Sequence, residues 1–197
     1  MRRHRVLLLA ALALALVVPS ARAGGVIGAG EAAAASAQCA DAIRRAARAS
    51  GVPAPLLLAL APTESGLPRA HGRGPSYPWP WTLNTNGSGS FHFRARGAAE
   101  KHLSSLVAAG IDNIDIGCMQ VNWHWHGAAF ASPAAALNPA LNTSYAAALL
   151  KNYKLKTGSW AGAVGLYHSH TLAVAEAYRC RVAHVLQPNT ALKNCAS

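Results

Sequence analysis

Residues 66–93 break an otherwise alanine- and leucine-rich chain with a run dominated by Gly, Pro, Ser, Asn and Trp. Such a run punctuates helices and cannot extend one. Within it, Trp81-Thr82-Leu83-Asn84 and Ser90-Phe91-His92-Phe93 flank Thr85-Asn86-Gly87-Ser88-Gly89. Two short strands around Asn-Gly turn chemistry predict a β-hairpin. On either side the pattern is helical. Cys39–Ser50 reads as a helix with Ile43, Ala46 and Ala47 on one face and Gly51 as its stop. Pro55 suits the first turn of a second, buried helix carrying Leu56, Leu57, Leu58 and Leu60; Pro62 is expected to interrupt it and Glu64-Ser65-Gly66 to end it. Further helices are expected at Arg96–Ala109, at Asn142–Lys154 with Leu149, Leu150 and Tyr153 inward, from a Ser159 cap through Tyr167, and at Leu172–Val185. Residues 115–122 read as a turn entering a helix. The expected fold class is mainly α (α+β), one helical domain with a small β-hairpin insertion.

The N-terminus is a different object. Arg2, Arg3 and Arg5 precede 13 residues from Val6 to Val18 that are all apolar, and Ala21-Arg22-Ala23 is an A-x-A cleavage site. This is the pattern of a secretory signal peptide, residues 1–23, and is shorter than the ~20 residues that span a bilayer. Removing it leaves 174 residues with 14 basic and 7 acidic side chains. Residues 24–38 read as a flexible leader, 39–187 as the domain and 188–197 as a tail. An exported basic protein is expected to meet anionic surfaces such as cell wall rather than nucleic acid. Disorder is excluded by a 52% apolar composition. Cys39, Cys118, Cys180 and Cys195 have no zinc-site spacing and suit disulfides, with three full pairings open. A bridge from Cys39 to Cys180 or Cys195 would tie the ends together, and Cys118, in an apolar stretch, is expected to stay free.

The acidic residues are few enough to weigh singly: Glu31, Asp41, Glu64, Glu100, Asp112, Asp115 and Glu176. Asp41 and Glu100 fit near helix starts, where anions suit the macrodipole. Asp112 and Asp115 fit turns, and Glu176 lies three residues before Arg179. Glu64 alone ends an apolar helix beside a Gly-rich break. A carboxyl there is poorly solvated, keeps its proton near neutral pH, and has the property a general acid on a glycosidic oxygen requires.

Three blocks occur in order: Glu64-Ser65-Gly66, then Gly117-Cys118-Met119-Gln120-Val121-Asn122, then Ala163-Val164-Gly165-Leu166-Tyr167-His168-Ser169. Together with Pro78-Trp79-Pro80-Trp81-Thr82-Leu83-Asn84 and Asn113-Ile114-Asp115-Ile116, they make the chain resemble the soluble lytic transglycosylase (SLT) catalytic domain in its exported single-domain form. The resemblance covers about Cys39 to Val185 and implies a goose-lysozyme-like fold. It implies Glu64 as a single catalytic acid/base that cleaves the MurNAc-GlcNAc β-1,4 bond of peptidoglycan and forms 1,6-anhydro-MurNAc ends. It further implies Gln120 as an amide to the glycan, Met119 as a thioether lining the groove, Tyr167 as the tyrosine near the acid, and Asn122 as a sugar contact. His168 and Ser169 depart from the family pattern, where many relatives carry Asn and a small residue.

Trp79, Trp81, Trp123, Trp125 and Trp160 offer flat faces to sugars, and Trp81 is expected first because the hairpin leads back towards Glu64. Ser65 is expected to cap or position rather than react, since no G-x-S-x-G elbow exists. His124-Trp125-His126 and His168-Ser169-His170 are H-x-H pairs, but no HExxH is present and no metal or cofactor is expected. Two rival readings stand beside the lyase: a lysozyme-type muramidase using water, and a non-catalytic wall-binding module of a secretion system. A monomer is expected, with a secretion or pilus apparatus as a further partner by family analogy.

Overall fold

Alanine-rich sequence dominates the first helix, and it starts ten residues before Cys39. The computed structural model describes residues 28–67, 76–85 and 89–187. The signal peptide, the first residues of the leader, Cys195 and the tail lie outside them, as does the hairpin tip. Helix α1 is Ala29–Ser50, closed by Gly51 at φ 77°, a left-handed cap that favours glycine. The leader therefore does not extend to residue 38. Alanine is the strongest helix former, Ala32 and Ala35 are buried, and Glu31 in the first turn pairs with Arg94, 3.2 Å from Nε to Oε1.

Helix α2 is Ala54–Ser65 and runs through Pro62 without ending there. Proline costs the helix one donor, but Pro62 sits in the last turn, with little helix left to lose. Thr63 Oγ1 adds a side-chain bond to the Ala59 carbonyl at 3.0 Å, and Leu56, Leu57, Ala59, Leu60 and Ala61 bury the helix. Burying a leucine is worth about 1.5–3 kcal/mol, enough for packing to override local propensity.

Strands β1 (Thr82–Thr85) and β2 (Gly89–His92) form the expected hairpin. After α3 (Arg96–Ala108), β3 (Ile114–Ile116) pairs with β1, and β4 (Val121–Asn122) pairs with β3. The insertion is thus a four-stranded antiparallel sheet, ordered β2-β1-β3-β4. Residues 115–122 do turn into a helix, α4 (Trp123–His126), but carry two short strands first. Then follow α5 (Pro133–Ala136), α6 (Pro139–Thr157), α7 (Trp160–His168) with Ser159 accepting from the Gly162 N–H, and α8 (Leu172–Leu186).

Two apolar clusters hold these elements. One joins α1, α2, α6, α7 and α8 through Ile43, Leu57, Leu60, Leu150, Val164 and Tyr178. The other joins the start of α1 to the sheet, α3 and α5 through Trp79, Leu83, Leu103, Ile114 and Leu137. The mainly helical, lysozyme-like α+β architecture is as expected.

The cysteine pairing is not. Cys39 bridges Cys118, with Cα atoms 5.7 Å apart, and Cys180 is disulfide-bonded as well. Cys118 is fully buried beside α1, so its apolar setting is that of a core bridge and not of a spare thiol. The bridge spans 79 residues. Replacing Cys39 and Cys118 by alanine should lower the unfolding free energy by about 4–5 kcal/mol in the chain-entropy account, measured by urea titration; an unchanged midpoint would show that the bridge constrains nothing.

Candidate active site

Glu64 stands in the last turn of α2, where the helix runs out against the sheet. The neighbouring Ser65 fixes that turn. Its buried Oγ lies 2.8 Å from the Cys118 carbonyl and 3.1 Å from that of Ala61, and accepts the Trp79 N–H at 3.1 Å. The Ser65 carbonyl accepts from Thr82 Oγ1 at 3.1 Å. Gly66 has no room for a Cβ, which would fall 2.2 Å from the Pro62 carbonyl oxygen.

Glu64 keeps a partial solvent face while its carboxyl is packed among protein atoms. Tyr178 of α8 donates its hydroxyl to Glu64 Oε1. Burial pushes the carboxyl up from 4.5 to about 7; the Tyr178 hydrogen bond opposes this, the Asp115 charge adds to it, and Arg181 subtracts. Tyr178 is fixed in turn: the His168 ring stacks on it at 4.2 Å between centroids, and the Arg181 guanidinium lies 5.2 Å from its centroid. Burial, then the Glu64 charge, keep the Tyr178 phenol protonated.

The facing wall is the turn from Gly117 to Gln120. Gly117 has φ 76°, and a Cβ there would meet the Asn142 amide nitrogen at 3.1 Å. Asn142, fully buried, organises this turn: its Oδ1 accepts the Met119 N–H at 2.9 Å, and its Nδ2 donates to the Ile116 and Ala136 carbonyls at 2.8 and 3.0 Å. Tyr167 closes the turn from α7, donating to the Met119 carbonyl at 2.7 Å. On the sheet, Asn84, Asp115 and Asn122 oppose one another across β1, β3 and β4. Opposed residues share a face, so this is a polar row; Asn122 Nδ2 donates to Asp115 Oδ1 at 2.8 Å. Burial raises the Asp115 carboxyl above its usual range, and Asn122 pulls it back.

A family model described as Transglycosylase SLT domain matches residues 41–183. The chain belongs to that family. No curated protein and no solved structure matches it. SLT membership makes it a lytic-transglycosylase-type, peptidoglycan-degrading enzyme.

Within this SLT domain, Glu64, Asn122 and Tyr167 gather on one locus: Asn122 holds Asp115, and both Glu64 and Asp115 act electrostatically on Tyr167. The Tyr167 hydroxyl, however, bonds the Met119 backbone, and the phenol on the acid is Tyr178. Met119 is fully buried in the core, presenting no side-chain surface to a sugar. Gln120, at φ 44°, turns its amide nitrogen to the Gly117 and Thr82 carbonyls at 3.0 and 3.3 Å. Trp81 is buried in the second cluster, and among the five tryptophans it is Trp125 that is exposed, at 75%. Among the described residues no group of three or more His, Cys, Asp and Glu could hold a metal ion.

Tyr178, Arg181, Asp115 and Asn142 were not singled out for the site from sequence. Tyr178 and Arg181 stand one turn apart on α8, a helix-face pairing visible locally, but nothing in their neighbourhood points to a carboxyl 114 residues earlier. Two outcomes follow. The fold favours the protonated acid, so the stabilising share of that proton is complete below about pH 4.5 and lost as pH rises through about 7. E64Q should match the wild type in urea at pH 4 and exceed it by up to about 3 kcal/mol at pH 8; equal midpoints at both would refute a raised carboxyl. Tyr178→Phe should lower kcat about tenfold and move the alkaline limb of the pH–rate profile upward, because the lost hydrogen bond had favoured the carboxylate.

Proposed function

We propose that the protein is an exported lytic transglycosylase in which Glu64 is both acid and base. The observation that carries this reading is the Glu64 carboxyl, buried at the end of α2 with one oxygen engaged by Tyr178. With Oε1 accepting from Tyr178, the proton resides on the other oxygen and is available to the glycosidic oxygen between MurNAc and GlcNAc. As that C–O bond breaks, the anomeric carbon becomes electron-poor. The new carboxylate takes the proton of the muramyl 6-hydroxyl, whose oxygen bonds the anomeric carbon. A 1,6-anhydro end forms and no water enters. The half-buried row of Asn84, Asp115 and Asn122 supplies polar groups for the sugars, and the charge of Asp115 helps keep Glu64 protonated. The basic N-terminal segment and the disulfides suit a periplasmic monomer that opens the wall locally for a secretion or pilus apparatus.

One observation favours a second reading. Asp115 is a second carboxyl within electrostatic reach of Glu64, and a hydrolase uses two carboxyls, one of them activating water. Product mass separates the two. Digestion of peptidoglycan by the wild type should release muropeptides lighter by one water than reducing ends, and E64Q should release none. Asp115→Asn should leave the anhydro product in place at a reduced rate; reducing ends from the wild type would establish the hydrolase instead.

A further inference from the structure

Among the described residues the side-chain carboxylates are all committed. Glu31, Asp41, Glu100, Asp112 and Glu176 pair with Arg94, Arg44, Arg96, His124 and Arg179. Glu64 and Asp115 belong to the active site. Arg181 faces Glu64. Among the described residues this leaves Arg45, Arg48, Lys101, Lys151, Lys154 and Lys156 without an ion pair. All but Lys101 lie in the C-terminal halves of α1 and α6, which pack against each other. Helix dipoles account for Arg48, Lys154 and Lys156, which sit in last turns. They do not account for Arg45 and Lys151, which lie further back.

The same place holds an open pocket of about 200 Å³, lined by Ser50, Gly51, Lys151, Lys154, Leu155 and Trp160. Its wall is part apolar: Leu155 is 77% exposed. The Lys154 ammonium stands 4.8 Å from the Trp160 ring centroid, which fixes a positive charge at the mouth. This is not the Glu64 site. Gly51 precedes the start of α2 and Glu64 stands in its last turn, and the 12 residues of that helix span about 18 Å.

We propose that this pocket is an exosite for the carboxylate-bearing peptide side chains of a peptidoglycan strand, with the lysines on the carboxylate and Leu155 and Trp160 on its apolar neighbours. The proposal rests on the wall substrate proposed above. A concave opening takes a short peptide segment, whereas a bilayer surface cannot enter it. Its charge would speed association and hold the strand while Glu64 works at the other end of α2.

The test measures binding of full-length E64Q to intact peptidoglycan and to glycan strands stripped of peptides by an amidase. Binding to the intact wall should be about tenfold tighter and should weaken with salt. K151E/K154E, placed in the E64Q chain, should abolish the difference, and the neutral K151Q/K154Q should reduce it. In the otherwise wild-type chain, K151E/K154E should cleave stripped strands at the original rate, which also reports an intact fold. Equal loss on both substrates, or no loss on either, overturns the proposal. Loss of binding to anionic phospholipid vesicles with wall binding intact assigns the patch to a membrane instead. These binding comparisons do not depend on which product forms, so an error about Glu64 chemistry would show in product mass and leave them standing.

Discussion

The hydroxyl of Ser65 ties together three stretches that are distant in sequence: the last turn of α2, the turn that contains Cys118, and the segment leading into the hairpin at Trp79. It is buried, and leaving the Trp79 N–H or the Cys118 carbonyl without a partner there would cost about 1–3 kcal/mol each. The side chain before it is Glu64. A carboxyl carried by a helix terminus would ordinarily fray with that terminus; here the next residue pins the backbone from both sides. The Asn142 amide does the same for the opposing wall, tying the Met119 N–H of the turn to the Ile116 carbonyl of β3 and the Ala136 carbonyl of α5 with one buried side chain. Acid and wall are therefore set by side-chain-to-backbone bonds rather than by regular secondary structure.

That frame allows an unfavourable group to be kept. A carboxyl pushed up to about 7 is one the fold would rather hold neutral. Tyr178 moderates this without cancelling it, because a neutral phenol can stabilise the carboxylate but brings no counter-charge of its own. Stacking by His168 and the nearby Arg181 hold the ring. Reactivity and local instability thus have one origin, the desolvation of a single side chain.

Much of this was legible in residue order. The helices α3, α6, α7 and α8 follow apolar spacing, which is local, and Ser159 caps α7 as its position suggested. Glu64 stood out because so few carboxyls compete with it. What residue order hid was long-range. Pro62 reads as a breaker, yet the burial around it overrides the lost donor. The strands β3 and β4 are too short for alternation to register. Tyr178 reaches Glu64, Tyr167 reaches a backbone carbonyl instead, and Cys118 reaches Cys39, each through tertiary packing that no spacing rule encodes. Trp81 is expected as a sugar contact from its place beside the hairpin and Met119 from the family resemblance, but large apolar side chains serve a core equally well, and both are spent there.

The Cys39–Cys118 bridge places a covalent bolt directly behind the wall that faces the acid. Domains of this kind hold only about 5–15 kcal/mol in reserve, so a cross-link closing a loop of this length is a large part of the total. In a reducing compartment the Met119–Gln120 turn would lose that anchor. Wall and core are secured by the same bond, since Cys39 and Cys118 both belong to the cluster that packs α1 against α2 and α6.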